Sequence, residues 1–75
     1  MARATAGIKN REWHRILRRQ GFYMVRHSGG HSIYRHPAGG QFPTVGEGRP
    51  VSPSFTEIKC AAQILNVSIE KLLGS

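Results

Sequence analysis

From Arg11 to Gln20 the apolar residues recur at helical spacing, and from Phe22 onward they alternate, a change of period that confines the chain to a mixed α+β fold. At about 100° per residue, Trp13, Ile16, Leu17 and Gln20 fall on one arc. Arg11, Arg15, Arg18 and Arg19 fall on the opposite one, which predicts an amphipathic helix with a basic outer face. Asn10 is placed to cap it, Glu12 lies where a negative charge suits the exposed N–H groups, and Gly21 ends it. Phe22 to His27 then reads as a strand, Ser28-Gly29-Gly30 as a turn, His31 to His36 as a second strand and Pro37-Ala38-Gly39-Gly40 as a second turn. Gln41 to Val45 can form a third strand, and Pro43, which has no N–H to donate, assigns it to a sheet edge. Residues 46–53 read as loop.

Ser54-Phe55-Thr56-Glu57 is a capping-box pattern, in which the serine oxygen and the glutamate carboxylate satisfy each other's backbone N–H groups. Phe55, Ile58, Ala61, Ala62 and Leu65 share one face of the helix that follows, Asn66 can end it in a left-handed conformation, and Ser68 can cap a last turn carrying Ile69, Leu72 and Leu73. The order is α-β-β-β-α with a small extra turn. It predicts a three-stranded antiparallel sheet with both helices on one face, burying Trp13, Ile16, Leu17, Phe55, Ile58 and Leu65, and with the other face in solvent. Seventy-five residues make one domain, 9–75, behind a flexible N-terminal tail at 1–8.

Eight arginines and three lysines against four glutamates give a net charge of +7, which favours a polyanionic partner, nucleic acid first. A membrane partner is discounted, because no apolar run approaches the roughly 20 residues needed to span a bilayer. MARATAG lacks the apolar stretch of a signal peptide, so a cytoplasmic protein is expected. Cys60 is the only cysteine, which excludes an internal disulfide and any multi-cysteine metal site. Glu12, Glu47, Glu57 and Glu70 are scattered over different elements and form no paired-carboxylate site, so neither a metal nor another cofactor is expected.

The chemistry concentrates in GGHSIYRHP, residues 29–37. An imidazole can take or give a proton near neutrality, and His31 follows Gly29 and Gly30, whose lack of side chains lets a phosphate backbone come close. Arg26 and Arg35 flank the turn and can hold phosphate oxygens or charge developing on a phosphorane, and Tyr34 offers a hydroxyl or a stacking face. The arginine face of the first helix, Arg11, Arg15, Arg18 and Arg19, can extend that phosphate-binding surface. The reaction that suits these groups is metal-independent RNA cleavage, in which a ribose 2′-OH attacks the adjacent phosphate and a histidine moves a proton. The bland reading is equally consistent with the residues: His27, His31 and His36 as solvated strand positions, and the arginines as a solvated helix face.

Gly21, Phe22, Gly29, Gly30, His31, Tyr34, His36, Pro37 and Gly39, in that order, resemble the HicA family of toxin-antitoxin ribonucleases, and the likeness spans about residues 9 to 73. The resemblance implies a fold like that of a double-stranded-RNA-binding domain, an mRNA endoribonuclease activity, His31 as the catalytic residue, and a HicB-type antitoxin protein that covers the site. The chain departs from the family pattern in QFPTVGEGRP, with an early proline and no histidine, and in its second helix, which keeps only Lys59 of the usual basic residues. Two other readings belong to different classes. One is a non-catalytic RNA-binding module using the same basic surface. The other is a helix-turn-helix DNA-binding protein, suggested by AAQILNVSIEKLLG, although only seven residues follow Ser68 and they are mainly apolar.

Overall fold

The computed structural model describes residues 8–74. Its elements follow the expected order: α1 (Asn10–Arg19), β1 (Tyr23–Ser28), β2 (His31–Arg35), β3 (Gln41–Val45), α2 (Phe55–Leu65) and α3 (Ile69–Leu73). The strands form one antiparallel sheet in the order β1-β2-β3, so β3, with Pro43, is an edge strand as its sequence requires. Of the tail expected at 1–8, residues 1–7 lie outside the described residues, and Ile8 is buried in the core.

Both helices pack on one face of the sheet, and a single threonine ties them there. Trp13 Nε1 on α1 donates to Thr44 Oγ1 on β3 (2.8 Å), and Thr44 in turn donates to the Glu57 carboxylate on α2. Around this point Trp13, Ile16 and Leu17 of α1 meet Tyr34, Phe42, Ile58, Ala61 and Leu72, all nearly inaccessible to solvent. Phe22 stands edge-on to Phe42, with centroids 5.6 Å apart, and to the His36 ring at 4.8 Å. His36 Nε2 donates to the Gln20 carbonyl (2.9 Å) while its Nδ1 accepts from the Ala38 N–H, so this histidine satisfies an orphan carbonyl beyond the end of α1 and fixes the Pro37 turn.

Several local expectations need correction. Lys9, not Asn10, is the N-cap of α1, and it offers no side-chain cap; the Asn10 amide is drawn away to donate to the carbonyls of Gly46 (2.8 Å) and Arg49 (3.4 Å). The capping box at α2 is only half formed. Ser54 Oγ accepts from the Glu57 N–H, but the Glu57 carboxylate accepts from Thr44 instead of returning to the cap. Phe55, assigned to the core, is 55% exposed, because α2 meets the core through Ile58, Ala61 and Ala62 and leaves its first residue outside the contact. Leu65 is only partly buried. Asn66 takes the left-handed conformation (φ 59°) and Ser68 accepts from the Lys71 N–H, both as the sequence indicates.

Candidate nucleic-acid interface and catalytic site

The β1–β2 connection is the two-residue loop Gly29-Gly30, with φ of 56° and 80°. Positive φ at both central positions is the turn that matches the right-handed twist of a hairpin, and it suits glycine at both. The turn sets the register: Ser28 lies opposite His31, Arg26 opposite Ile33 and Tyr23 opposite Arg35, with a bulge between Met24 and Arg26. Ser32 and Tyr34 are fully buried toward the helices, so His31, Ile33 and Arg35, together with their cross-strand partners Ser28, Arg26 and Tyr23, face the open side of the sheet.

His31 is exposed at the start of this open face. Its Nδ1 lies 3.3 Å from the Gly29 carbonyl, to which its N–H can donate, an arrangement that leaves Nε2 turned to incoming groups. Arg26 occupies the diagonal position on β1, where residues on one face stand about 7–8 Å apart. Arg35 shares the face but is four residues along the strand, about 13 Å away at an ordinary strand rise, and its guanidinium donates twice to Gln41 Oε1 (3.1 and 2.9 Å). The fold thus brings Arg26 to His31 and holds Arg35 apart.

Tyr34 does not belong to this surface. It is fully buried on the helix side, odd-numbered in its distance from His31 and therefore on the opposite face of the strand. Its hydroxyl sits in a chain of hydrogen bonds through the interior. Arg18 Nη1 donates to the Tyr34 oxygen (3.3 Å), the Tyr34 hydroxyl donates to His14 Nδ1 (2.8 Å), and His14 Nε2 donates to the Val45 carbonyl (2.7 Å). Burial raises the Tyr34 phenol above its ordinary range. Arg18 also leaves the set of available phosphate contacts, since it grips both Glu47 carboxylate oxygens at 3.1 Å. That hydrogen-bonded pairing holds the Glu47 carboxyl below its usual range. Arg11, Arg15 and Arg19 are exposed on the outer face of α1.

Two further residues bear on this surface, one at the far end of the open face and one beside the turn. Tyr23, 45% exposed, is the tyrosine on the His31 face, but it lies opposite Arg35, about 13 Å along the sheet from His31 at an ordinary strand rise. Arg49, in the loop after β3, reaches back across the hairpin: its Nη1 lies 2.8 Å from where a Cβ on Gly30 would be. The loop is held there by the Gly46 N–H, which donates to the Gly30 carbonyl (2.8 Å). Strand parity alone could have exchanged Tyr34 for Tyr23; nothing local in GEGRP signals the reach of Arg49. His27 points to the helix side, 3.4 Å from Ser32 Oγ, and is separated from His31 by the sheet.

α3 is five residues long with Leu72 in the core, and so presents no run of polar residues of the length needed to read a DNA groove. Among the described residues no three His, Cys, Asp or Glu side chains converge as metal ligands, and no helix is long and apolar enough to cross a membrane. No protein-family model, curated protein or solved structure matches the chain.

Proposed function

We propose that the protein is a HicA-like toxin of a type II toxin-antitoxin system, a metal-independent endoribonuclease that cleaves mRNA in the cytoplasm with His31 as catalytic acid or base. The observation that carries this reading is the placement of an exposed His31 beside a two-glycine turn, with Arg26 on the same open sheet face. In the reaction a ribose 2′-OH attacks the adjacent phosphorus and loses its proton, the P–O5′ bond breaks, and the departing 5′-oxygen gains a proton. The products are a 2′,3′-cyclic phosphate and a 5′-hydroxyl. His31 Nε2 carries one of these two transfers and solvent the other, while the Arg26 guanidinium offsets the charge on the phosphorane. Tyr23, at the Arg35 end of the same face, supplies a stacking surface for a base farther along the strand.

A HicB-type antitoxin would act by covering this face. Tyr23 on this face, and the exposed Met24 and Val25 where β1 forms the sheet edge, supply apolar contacts for such a protein partner. Incubating purified protein with RNA in the presence of EDTA tests the reading. A ladder of cyclic-phosphate-ended products is expected from the wild type and none from His31→Ala. The second reading, RNA binding without catalysis, is supported by the same basic surface and predicts salt-dependent binding with intact RNA under every condition.

A further inference from the structure

A groove of about 880 Å³ runs between the N-terminal half of α1 and the loop at 46–52. Four cations line it: Lys9, Arg11, Arg15 and Arg49. Two acids line it as well, Glu12 and Glu47, but Glu47 is neutralised by Arg18, so the groove is strongly positive. The first turn of α1 opens into it without a side-chain cap, which adds the partial positive charge of unpaired N–H groups. Its wall also holds an uncommitted acceptor. Asn10 is only 5% exposed, its amide nitrogen is fixed by two loop carbonyls, and its Oδ1 has no partner among the described residues. An unsatisfied buried acceptor of this kind is uncommon, and the donor that matches it is a hydroxyl or a water, not a phosphate oxygen.

Arg49 links the groove to the hairpin. This one side chain lines the groove and also lies against Gly30, the residue before His31. We propose that the groove carries the sugar-phosphate backbone of the RNA strand, and that Arg49 passes that backbone from α1 to the His31 turn. The proposal rests on the assignment of RNA as substrate. It adds a binding track on the opposite side of the turn from Arg26 and gives the first-helix arginines distinct roles: Arg11 and Arg15 hold phosphate, whereas Arg18 braces the loop through Glu47. Glu12 and Glu47 limit the groove to a strand whose phosphates pass on the cationic side, which disfavours a broad anionic surface such as a lipid bilayer.

Binding of a fluorescein-labelled uridine homopolymer, followed by anisotropy across a salt series, tests the track. All proteins carry His31→Ala so that cleavage does not enter, and circular dichroism confirms that each is folded. Arg15→Gln/Arg49→Gln should lower the slope of log affinity against log salt by about 1.4, at about 0.7 per single-strand phosphate contact, and weaken binding at least tenfold at moderate salt. Arg35→Gln, remote from the groove, is the control for loss of one charge and should change the slope by less than half as much. An unchanged slope in the groove double variant, or an equal loss in Arg35→Gln, overturns the track while leaving cleavage by His31 untouched. Loss of binding to phosphatidylserine vesicles with RNA binding retained overturns it in favour of a lipid surface. A groove-dependent slope, found together with a wild-type protein that cleaves no RNA, supports the track and removes the nuclease assignment instead.

Discussion

Tyr34→Phe separates the interior from the surface of this protein, because it removes one oxygen and leaves the ring. The hydroxyl donates to His14 Nδ1 at 2.8 Å in a fully buried pair. Without it His14 keeps its bond to the Val45 carbonyl but presents an acceptor with no donor, a loss of about 1–3 kcal/mol. The contact from Arg18 contributes little more, since it is long (3.3 Å) and its half-exposed guanidinium retains Glu47. A destabilisation of about 2 kcal/mol is large against the roughly 4–11 kcal/mol expected of 75 residues, and corresponds to a fall of about 8–16 °C in melting temperature. Thermal and urea unfolding followed by circular dichroism would measure it. The pH profile adds a second readout. The Tyr34 phenol is raised in the folded protein, so its contribution is fully present below the ordinary phenol value of about 10 and is lost as pH rises toward the folded value. Tyr34→Phe should flatten that alkaline limb. RNA cleavage at a temperature where the variant is folded should stay near wild type. An unchanged melting temperature together with lost RNA binding would refute the reasoning, since it would put Tyr34 on the binding surface.

Three further outcomes follow from the same contacts. Glu47→Gln should weaken the acid limb of the stability profile: the Glu47 carboxyl is depressed, so its contribution is present above the ordinary carboxylate value and lost as pH falls through the folded one, and the exposed pair limits the effect to under about 1 kcal/mol in pH-dependent urea titrations. Gly46→Ala should cost about 1–3 kcal/mol in the same titrations and loosen the hairpin, because its Cβ would meet the Gly30 carbonyl oxygen at 2.9 Å and the His27 ring at 3.1 Å. Thr44→Val should cost about 1–3 kcal/mol by leaving Trp13 Nε1 without an acceptor and Glu57 Oε1 with only the longer contact from the Val45 N–H (3.4 Å), with a shift in tryptophan emission as an independent marker.

The helical arc of α1, the alternation in β2 and the glycine and serine punctuation carry the fold because each is a local signal, decided by residues a few positions apart. Pro43 at an edge and Asn66 in the left-handed region follow from the chemistry of one residue. What was illegible depends on partners distant in sequence. Asn10 abandons its cap for a loop 36 residues away, and Glu57 abandons its capping box for Thr44 on another element. His14 reads as polar and so falls outside the apolar arc, yet the Tyr34 hydroxyl and the Val45 carbonyl satisfy both ring nitrogens and let it be buried. At the candidate site, proximity to the turn groups His31 with Arg26, and the register sets both on one face. Tyr34 and Arg35 were grouped with them by the same proximity, although a strand sends alternate residues to opposite faces and carries a residue four along about 13 Å away. Arg49 was not legible at all, since only the close packing of the Gly46 loop on the Gly30 turn brings it there.

The central claim is that His31 moves a proton in RNA cleavage, and the direct measurement is single-turnover cleavage of one RNA by the wild type and His31→Ala, both verified as folded, in EDTA. The account predicts cyclic-phosphate products from the wild type, a loss of at least about a hundredfold in rate for the variant, and RNA affinity retained in both. Equal cleavage by the two proteins would contradict it.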